Sequence, residues 1–206
     1  DGVAGIKTTI KHKVVKCNGC GLVRLLDNPL TMEYYQSDEY RNAYNETSSP
    51  SDYIEMHDNE QPSRLDRIGA TFFRDKIVLD FGCGGGAFLD LVSGLSRETL
   101  GIEPFSGYHE SLIDRGHEMF SNMETAQSKY KDKVDSIVSF CVLEHVQNPQ
   151  QYLKDACSLL KKSGNEKKIV SSIGAKINNP IPGLNNNPKI DSCNRADLPL
   201  TVCKDS

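Results

Sequence analysis

No stretch of this 206-residue chain approaches the roughly 20 consecutive apolar residues of a membrane helix, so no membrane association is expected. The opening residues, DGVAGIKTT, contain no apolar core of a secretory signal, and they include no initiator Met, so the natural N-terminus is expected upstream. Positive charge is not in excess. Lys and Arg number 24 against 28 Asp and Glu, a formal net charge of −4, and no basic stripe runs along the chain. Nucleic acid and anionic membrane surfaces are therefore poor partners. There is no internal repeat. A disulfide framework is also missing from the pattern: the seven cysteines (Cys17, Cys20, Cys83, Cys141, Cys157, Cys193 and Cys203) are odd in number and scattered. A chain of this size needs no covalent staples, so a reduced, cytoplasmic setting is expected.

What is present suffices for one folded domain with a small appendage: 37% of residues are hydrophobic and 25% charged. Residues 1–60 read as an N-terminal appendage. It carries the Cys17/Cys20 pair and an acidic segment rich in tyrosine (Tyr34, Tyr35, Tyr40, Tyr44 and Tyr53). Residues 61–175 alternate short apolar runs with amphipathic stretches, and residues 176–206 are rich in Asn and Pro with little periodicity.

The middle region predicts strands at 76–81, 99–103, 117–120, 134–140 and 168–173. Helices are expected from Pro62 (with Leu65, Ile68 and Phe72 on one face), from Ala87, over 108–115 with Gly116 as the stop, and from Asn148-Pro149 to about Gly164. Alternating strand and helix of this length implies an α/β fold, a Rossmann-like, doubly wound and mostly parallel sheet.

The segment Asp80-Phe81-Gly82-Cys83-Gly84-Gly85-Gly86-Ala87 follows the first of these strands. Its glycines allow a tight turn and close approach of a ligand to the backbone, at the positive end of the next helix. Glu103 closes the second strand about 20 residues on, where an acid can take ribose hydroxyls. Gly82, Gly84 and Ala87 also satisfy the dinucleotide pattern G-x-G-x-x-G/A, so a nicotinamide-dependent oxidoreductase competes. Asp80 weighs against it, because a pyrophosphate would lie near that carboxylate. S-adenosylmethionine (SAM) has no phosphate and carries a sulfonium and an ammonium, which two carboxylates suit better.

Asp80 to Gly86 resembles the D-x-G-x-G-x-G motif of class I SAM-dependent methyltransferases. Leu100-Gly101-Ile102-Glu103-Pro104 resembles their second-strand acidic motif. Phe140-Cys141-Val142-Leu143-Glu144-His145-Val146 resembles the fourth-strand signature, and Asn148-Pro149 with Leu153, Leu159, Leu160 and Gly164 resembles the helix after it. The ordered set covers about residues 62–175. Upstream, the Cys17 to Val23 run with Tyr34 to Tyr40 looks like the leader of a subgroup that includes sugar C-methyltransferase-like and other bacterial small-molecule enzymes. The resemblance implies that Gly82, Gly84 and Gly86 flank the methionine and ribose parts of the cofactor, that Asp80 holds its amino group through water, and that Glu103 accepts both ribose hydroxyls. It implies that Cys141 lies beside the cofactor. Met123 and Glu124 are the candidates for an adenine contact.

Methyl transfer needs an aligned acceptor and, for some acceptors, a base. His145 is the candidate base, and Glu144 could orient it, activate an acidic substrate hydrogen or bind a cation. The alternative is that both cap or pack the next helix. His12, His57, His109 and His117 read as surface or packing residues. Cys17-Asn18-Gly19-Cys20-Gly21 has the spacing of a zinc knuckle, with His12 as a possible further ligand; two thiols in a hairpin is the other reading. The tyrosine-rich stretch is either a lid over the substrate or a segment anchored to the domain by its aromatics. The function expected is methyl transfer from SAM to a small molecule such as a sugar, a quinone or another metabolite. A SAM-binding domain without turnover remains open, because residues 176–206 do not read as the helix and strand pair that usually complete such a fold. The oligomeric state is not legible.

Overall fold

The computed structural model describes residues 2–4, 11–16, 18, 23–25, 31–44, 47–162 and 168–172. The chain divides into two compact units, Asp1–Thr47 and Ser48–Ser206. In the first, β1 (Gly2–Ala4), β2 (Lys11–Lys16) and β3 (Val23–Leu25) form an antiparallel sheet in that order, with Val3 opposite His12 and Val15 opposite Arg24. Helices α1 (Met32–Gln36) and α2 (Asp38–Tyr44) follow. The rings of Tyr34, Tyr35 and Tyr40 lie 5.1, 5.7 and 5.8 Å apart. Arg41 is buried, and its guanidinium donates to the Tyr35 and Ser37 carbonyls at 3.2 and 3.4 Å. Three of the five tyrosines thus organise their own helix pair.

The second unit opens with α3 (Pro50–His57) and α4 (Gln61–Ile68), joined by a 3-10 turn at Asp58–Glu60. Ser49 caps α3 through its hydroxyl, and Pro50 presets the first turn. Gly69, at φ +88°, ends α4. The boundary read at residues 60 and 61 therefore moves to Thr47 and Ser48. The reason is Tyr53, whose ring packs on the domain's own core beside Tyr108, 5.1 Å between centroids.

The central sheet is built from β4 (Ile77–Phe81), β5 (Glu98–Ile102), β6 (Glu118–Phe120), β7 (Ser136–Phe140) and β8 (Lys168–Ser172). The spatial order is β6-β5-β4-β7-β8, and all pairings are parallel. The crossovers are α5 (Ala87–Ser93), α6 (His109–Asp114), α7 (Met123–Tyr130) and α8 (Pro149–Leu159). This is the expected Rossmann-like α/β sheet. Strands buried on both faces need unbroken apolar runs, and β4 obeys with one exception. Leu79 packs with Leu100, Ile137, Ala156 and Leu159 on one face, and Val78 with Phe73, Phe88 and Val138 on the other. Asp80 is the exception.

The α7 helix was not expected from the sequence. Its cap, Asn122, accepts from the Thr125 N–H at 2.9 Å, but only Ala126 and Tyr130 in it are buried, too sparse a stripe to stand out as periodic. Cys17 and Cys20 lie between β2 and β3, outside the described residues, as does the segment 176–206. Among the described residues no three His, Cys, Asp or Glu side chains gather as a metal site. No helix among them is long and apolar enough to cross a membrane.

Candidate functional site

Chain order reverses at β4: the strands after it run outward to β6 and then return to β7 on its other side. In open parallel sheets ligands bind outside the carboxyl ends at such a switch point. Here the turn after β4 occupies that place. Gly82, Gly84 and Gly86 hold φ of +72°, +54° and +85°, a region that side-chain-bearing residues avoid. Sterics add a second reason. A Cβ on Gly82 would collide with Val142 from the turn after β7, and one on Gly84 would collide with the Tyr53 ring. The turn is tied down by the Gly82 N–H donating to the Ile102 carbonyl at 2.7 Å and the Gly86 N–H donating to the Cys83 carbonyl at 3.0 Å.

Two carboxylates border this turn. Asp80, near the end of β4, is 2% exposed. Burial pushes its carboxyl up to about 7; the Arg64 guanidinium pulls the other way, and Glu103 adds to the rise. Glu103, directly after β5, is buried, and its two oxygens accept from the Gly84 N–H at 3.0 Å and the Phe105 N–H at 2.9 Å. The sequence pairing of these two acids around the glycines is thus a spatial one. Cys83, between them in the turn, points into the core beside Leu89 and Leu112, and burial drives its thiol well above the ordinary range.

Over the strand tips lie α4, expected as a helix from Pro62, and α3, which falls in the tyrosine-rich stretch expected as a lid or an aromatic-anchored segment. The Tyr53 ring covers Gly84 and Gly85 and stacks on His57, 4.3 Å between centroids. The buried Gln61 side chain donates to the His57 carbonyl at 2.7 Å and accepts from Arg64 Nη1 at 2.9 Å. Arg64 also pairs with Glu60 at 2.8 Å and lies over the Phe140 ring, 4.5 Å from its centroid. Among the described residues three buried side-chain polar atoms lack a hydrogen-bond partner: His57 Nε2, Arg64 Nε and Asp80 Oδ1. An unpaired buried polar atom is costly, and three of them on elements around the strand tips make these residues candidates for ligand contact. Their chemistry is that of a cation acceptor (Asp80) beside anion donors (Arg64 and His57), which fits a zwitterionic amino-acid group. A sequence signal for them existed only in part: His57 and Arg64 lie seven residues apart, two turns along a helical trace, with no motif around them.

At the β7 tip, Cys141 stands at φ +57° and half-buried. A non-glycine residue in that region is uncommon and tends to occur where function constrains the backbone. Residues Leu143–His145 form a 3-10 turn, closed by the His145 N–H donating to the Val142 carbonyl at 2.8 Å. Glu144 is exposed and His145 half-buried, so the adjacent side chains do not share one environment. Met123 and Glu124 begin α7; Met123 packs against the core and Glu124 is exposed. His109 and His117, expected as surface or packing residues, are engaged within the domain. His109 Nε2 is 2.7 Å from the Glu103 carbonyl, and His117 is buried between Thr99 and Asp90.

Comparison with known proteins bears on the family and the fold. Residues 54–166 match a family model described as a methyltransferase domain. The ubiquinone biosynthesis O-methyltransferase of Yersinia enterocolitica is 32% identical over 117 residues, 50% of this chain and 46% of that protein. Its Escherichia coli counterpart is 32% identical over 109 residues, 48% of this chain and 43% of that protein. The chain spans about half the length of the curated relatives it matches. Among solved structures, the plantazolicin methyltransferase BpumL in complex with SAH superposes with a TM-score of 0.52 at 16% identity, covering 69% of this chain and 56% of that one, a likeness of fold.

Proposed function

From the premise that this chain belongs to the methyltransferase-domain family, we propose that it moves a methyl group from SAM to a small-molecule acceptor. The observation that carries this reading is the pair of buried carboxylates, Asp80 and Glu103, on either side of a polyglycine turn, with Asp80 Oδ1 left unpaired. When bound, SAM supplies a methyl carbon already activated by its sulfonium. Asp80 takes the ammonium of the amino-acid end, and the unpaired Arg64 Nε and His57 Nε2 donate to its carboxylate. Glu103 takes the ribose hydroxyls. The Gly82, Gly84 and Gly86 backbone provides a surface without Cβ atoms, and Cys141 borders the site from β7. Nicotinamide chemistry is disfavoured by the same residues, since a pyrophosphate at this turn would meet both carboxylates.

His145 acts as the base for an acceptor hydroxyl, with Glu144 beside it at the rim. The relatives named for ubiquinone biosynthesis O-methylation favour a hydroxyl-bearing acceptor of the quinone type over a sugar carbon. The setting proposed is the cytoplasm. Calorimetry with S-adenosylhomocysteine (SAH) and with NAD tests the cofactor: SAH should bind and NAD should not, and the reverse would overturn the reading. For the chemistry, His145→Ala should cut transfer about 100-fold and leave SAH affinity unchanged. Undiminished turnover would remove His145 from the mechanism.

A further inference from the structure

A line of side chains connects β5 to the backbone of the glycine turn. Thr99 Oγ1 and His117 Nδ1 are 2.7 Å apart, and both residues are buried. His117 Nε2 lies 2.8 Å from Asp90 Oδ1. The other Asp90 oxygen pairs with Arg115 Nη1. Arg115 Nη2 then donates to the Gly85 carbonyl at 2.6 Å, while its Nε donates to the Ser111 carbonyl at 3.1 Å. One guanidinium thus joins α5, α6 and the turn, and its own ion-pair partner is held from behind by a buried histidine.

The turn needs such a brace. Three of its five residues sit at positive φ, and glycines lose more freedom on ordering than other residues. Glu103 holds one flank through the Gly84 N–H, but in the proposed function that carboxylate must also serve the ribose. Arg115 holds the other flank through Gly85, and its remaining donors face Asp90 and Ser111. We propose that Arg115, backed by Asp90 and His117, is a positioning residue for the cofactor. It fixes the Gly85 carbonyl and so presents the backbone of residues 84–86 already arranged, which spares the ligand the cost of ordering it. The inference rests on the SAM reading.

The test is calorimetric SAH binding to the full chain, well below its melting temperature, for wild type, Arg115→Ala, Arg115→Lys and Arg97→Ala. Arg97 is the control, an ion pair with Asp135 at 3.0 Å at the opposite end of β5. Arg115→Ala should weaken SAH about tenfold or more, the usual consequence of losing a charge-assisted hydrogen bond. Arg115→Lys should fall between, because one ammonium cannot span both Gly85 and Asp90. Arg97→Ala should bind as wild type does. Without ligand, hydrogen exchange at the Gly86 amide should quicken in Arg115→Ala. If SAH binds the Arg115 variants as it binds wild type, or if Arg97→Ala loses as much affinity, the brace is structural only and the inference fails. Should Arg115→Ala not fold, Arg115→Lys and Asp90→Asn decide: unchanged affinity in both overturns it. Failure of wild type to bind SAH would instead overturn the cofactor reading, and this one with it.

Discussion

Asp80 shows how much one residue can disclose. A carboxylate inside an otherwise apolar parallel strand is out of place, and burial holds its carboxyl up at about 7, with Glu103 adding and Arg64 opposing. The native state therefore holds this proton more tightly than the unfolded chain does. Asp80 costs no stability below the ordinary carboxylate range, and it subtracts stability progressively as pH rises towards 7. Asp80→Asn should accordingly raise the melting temperature of the ligand-free protein at about pH 8 and leave it nearly unchanged at about pH 4. A cationic ligand favours the ionised form. SAM should therefore bind more tightly at about pH 8 than at about pH 6, with proton release visible as a buffer-dependent calorimetric heat, and Asp80→Asn should abolish that dependence. Equal affinities at the two pH values in the native protein would contradict this assignment.

Elements were legible to the degree that neighbours in sequence settled them. The run Ile77-Val78-Leu79 before a cluster of glycines could only be a buried strand entering a turn, and the structure has β4 there. Asn148-Pro149 reads as a helix start because cap and φ preset are local, and Asn148 Oδ1 does accept from the Gln151 N–H at 3.1 Å. Asn148→Ala should cost about 1 kcal/mol in urea denaturation with no change in SAH affinity. The short helix α3 escaped notice because it has no buried stripe; the Tyr53 ring and the His57 carbonyl, which accepts from Gln61, tie it to the domain. That ring makes the turn sensitive. Gly84→Ala would force a residue at φ +54° against Tyr53, and SAH binding should drop below calorimetric detection while the circular dichroism spectrum stays that of a folded α/β protein.

At the scale of the molecule, the division into two units has a direct consequence. Each residue proposed to hold the cofactor, from His57 and Arg64 through Asp80 to Glu103 and Cys141, belongs to the unit that begins at Ser48. A chain starting at Ser48 should keep SAH affinity within about threefold of the full chain, measured by the same calorimetry. A larger loss would show that residues 1–47 contribute to cofactor binding.

Sequence alone determined the parallel α/β sheet, the glycine turn and the two acids flanking it. These are written in short-range features: β-branched runs, residues that tolerate positive φ, and a spacing set by one strand-helix-strand unit. Tertiary structure decided which groups those acids meet. Arg64 over Phe140, Tyr53 against Gly84 and Arg115 on the Gly85 carbonyl join residues far apart along the chain, and only the packing of helices onto strand tips brings them together. Periodicity records which face of a helix is apolar. Where a polar side chain on that helix comes to rest is set by the neighbours it packs against.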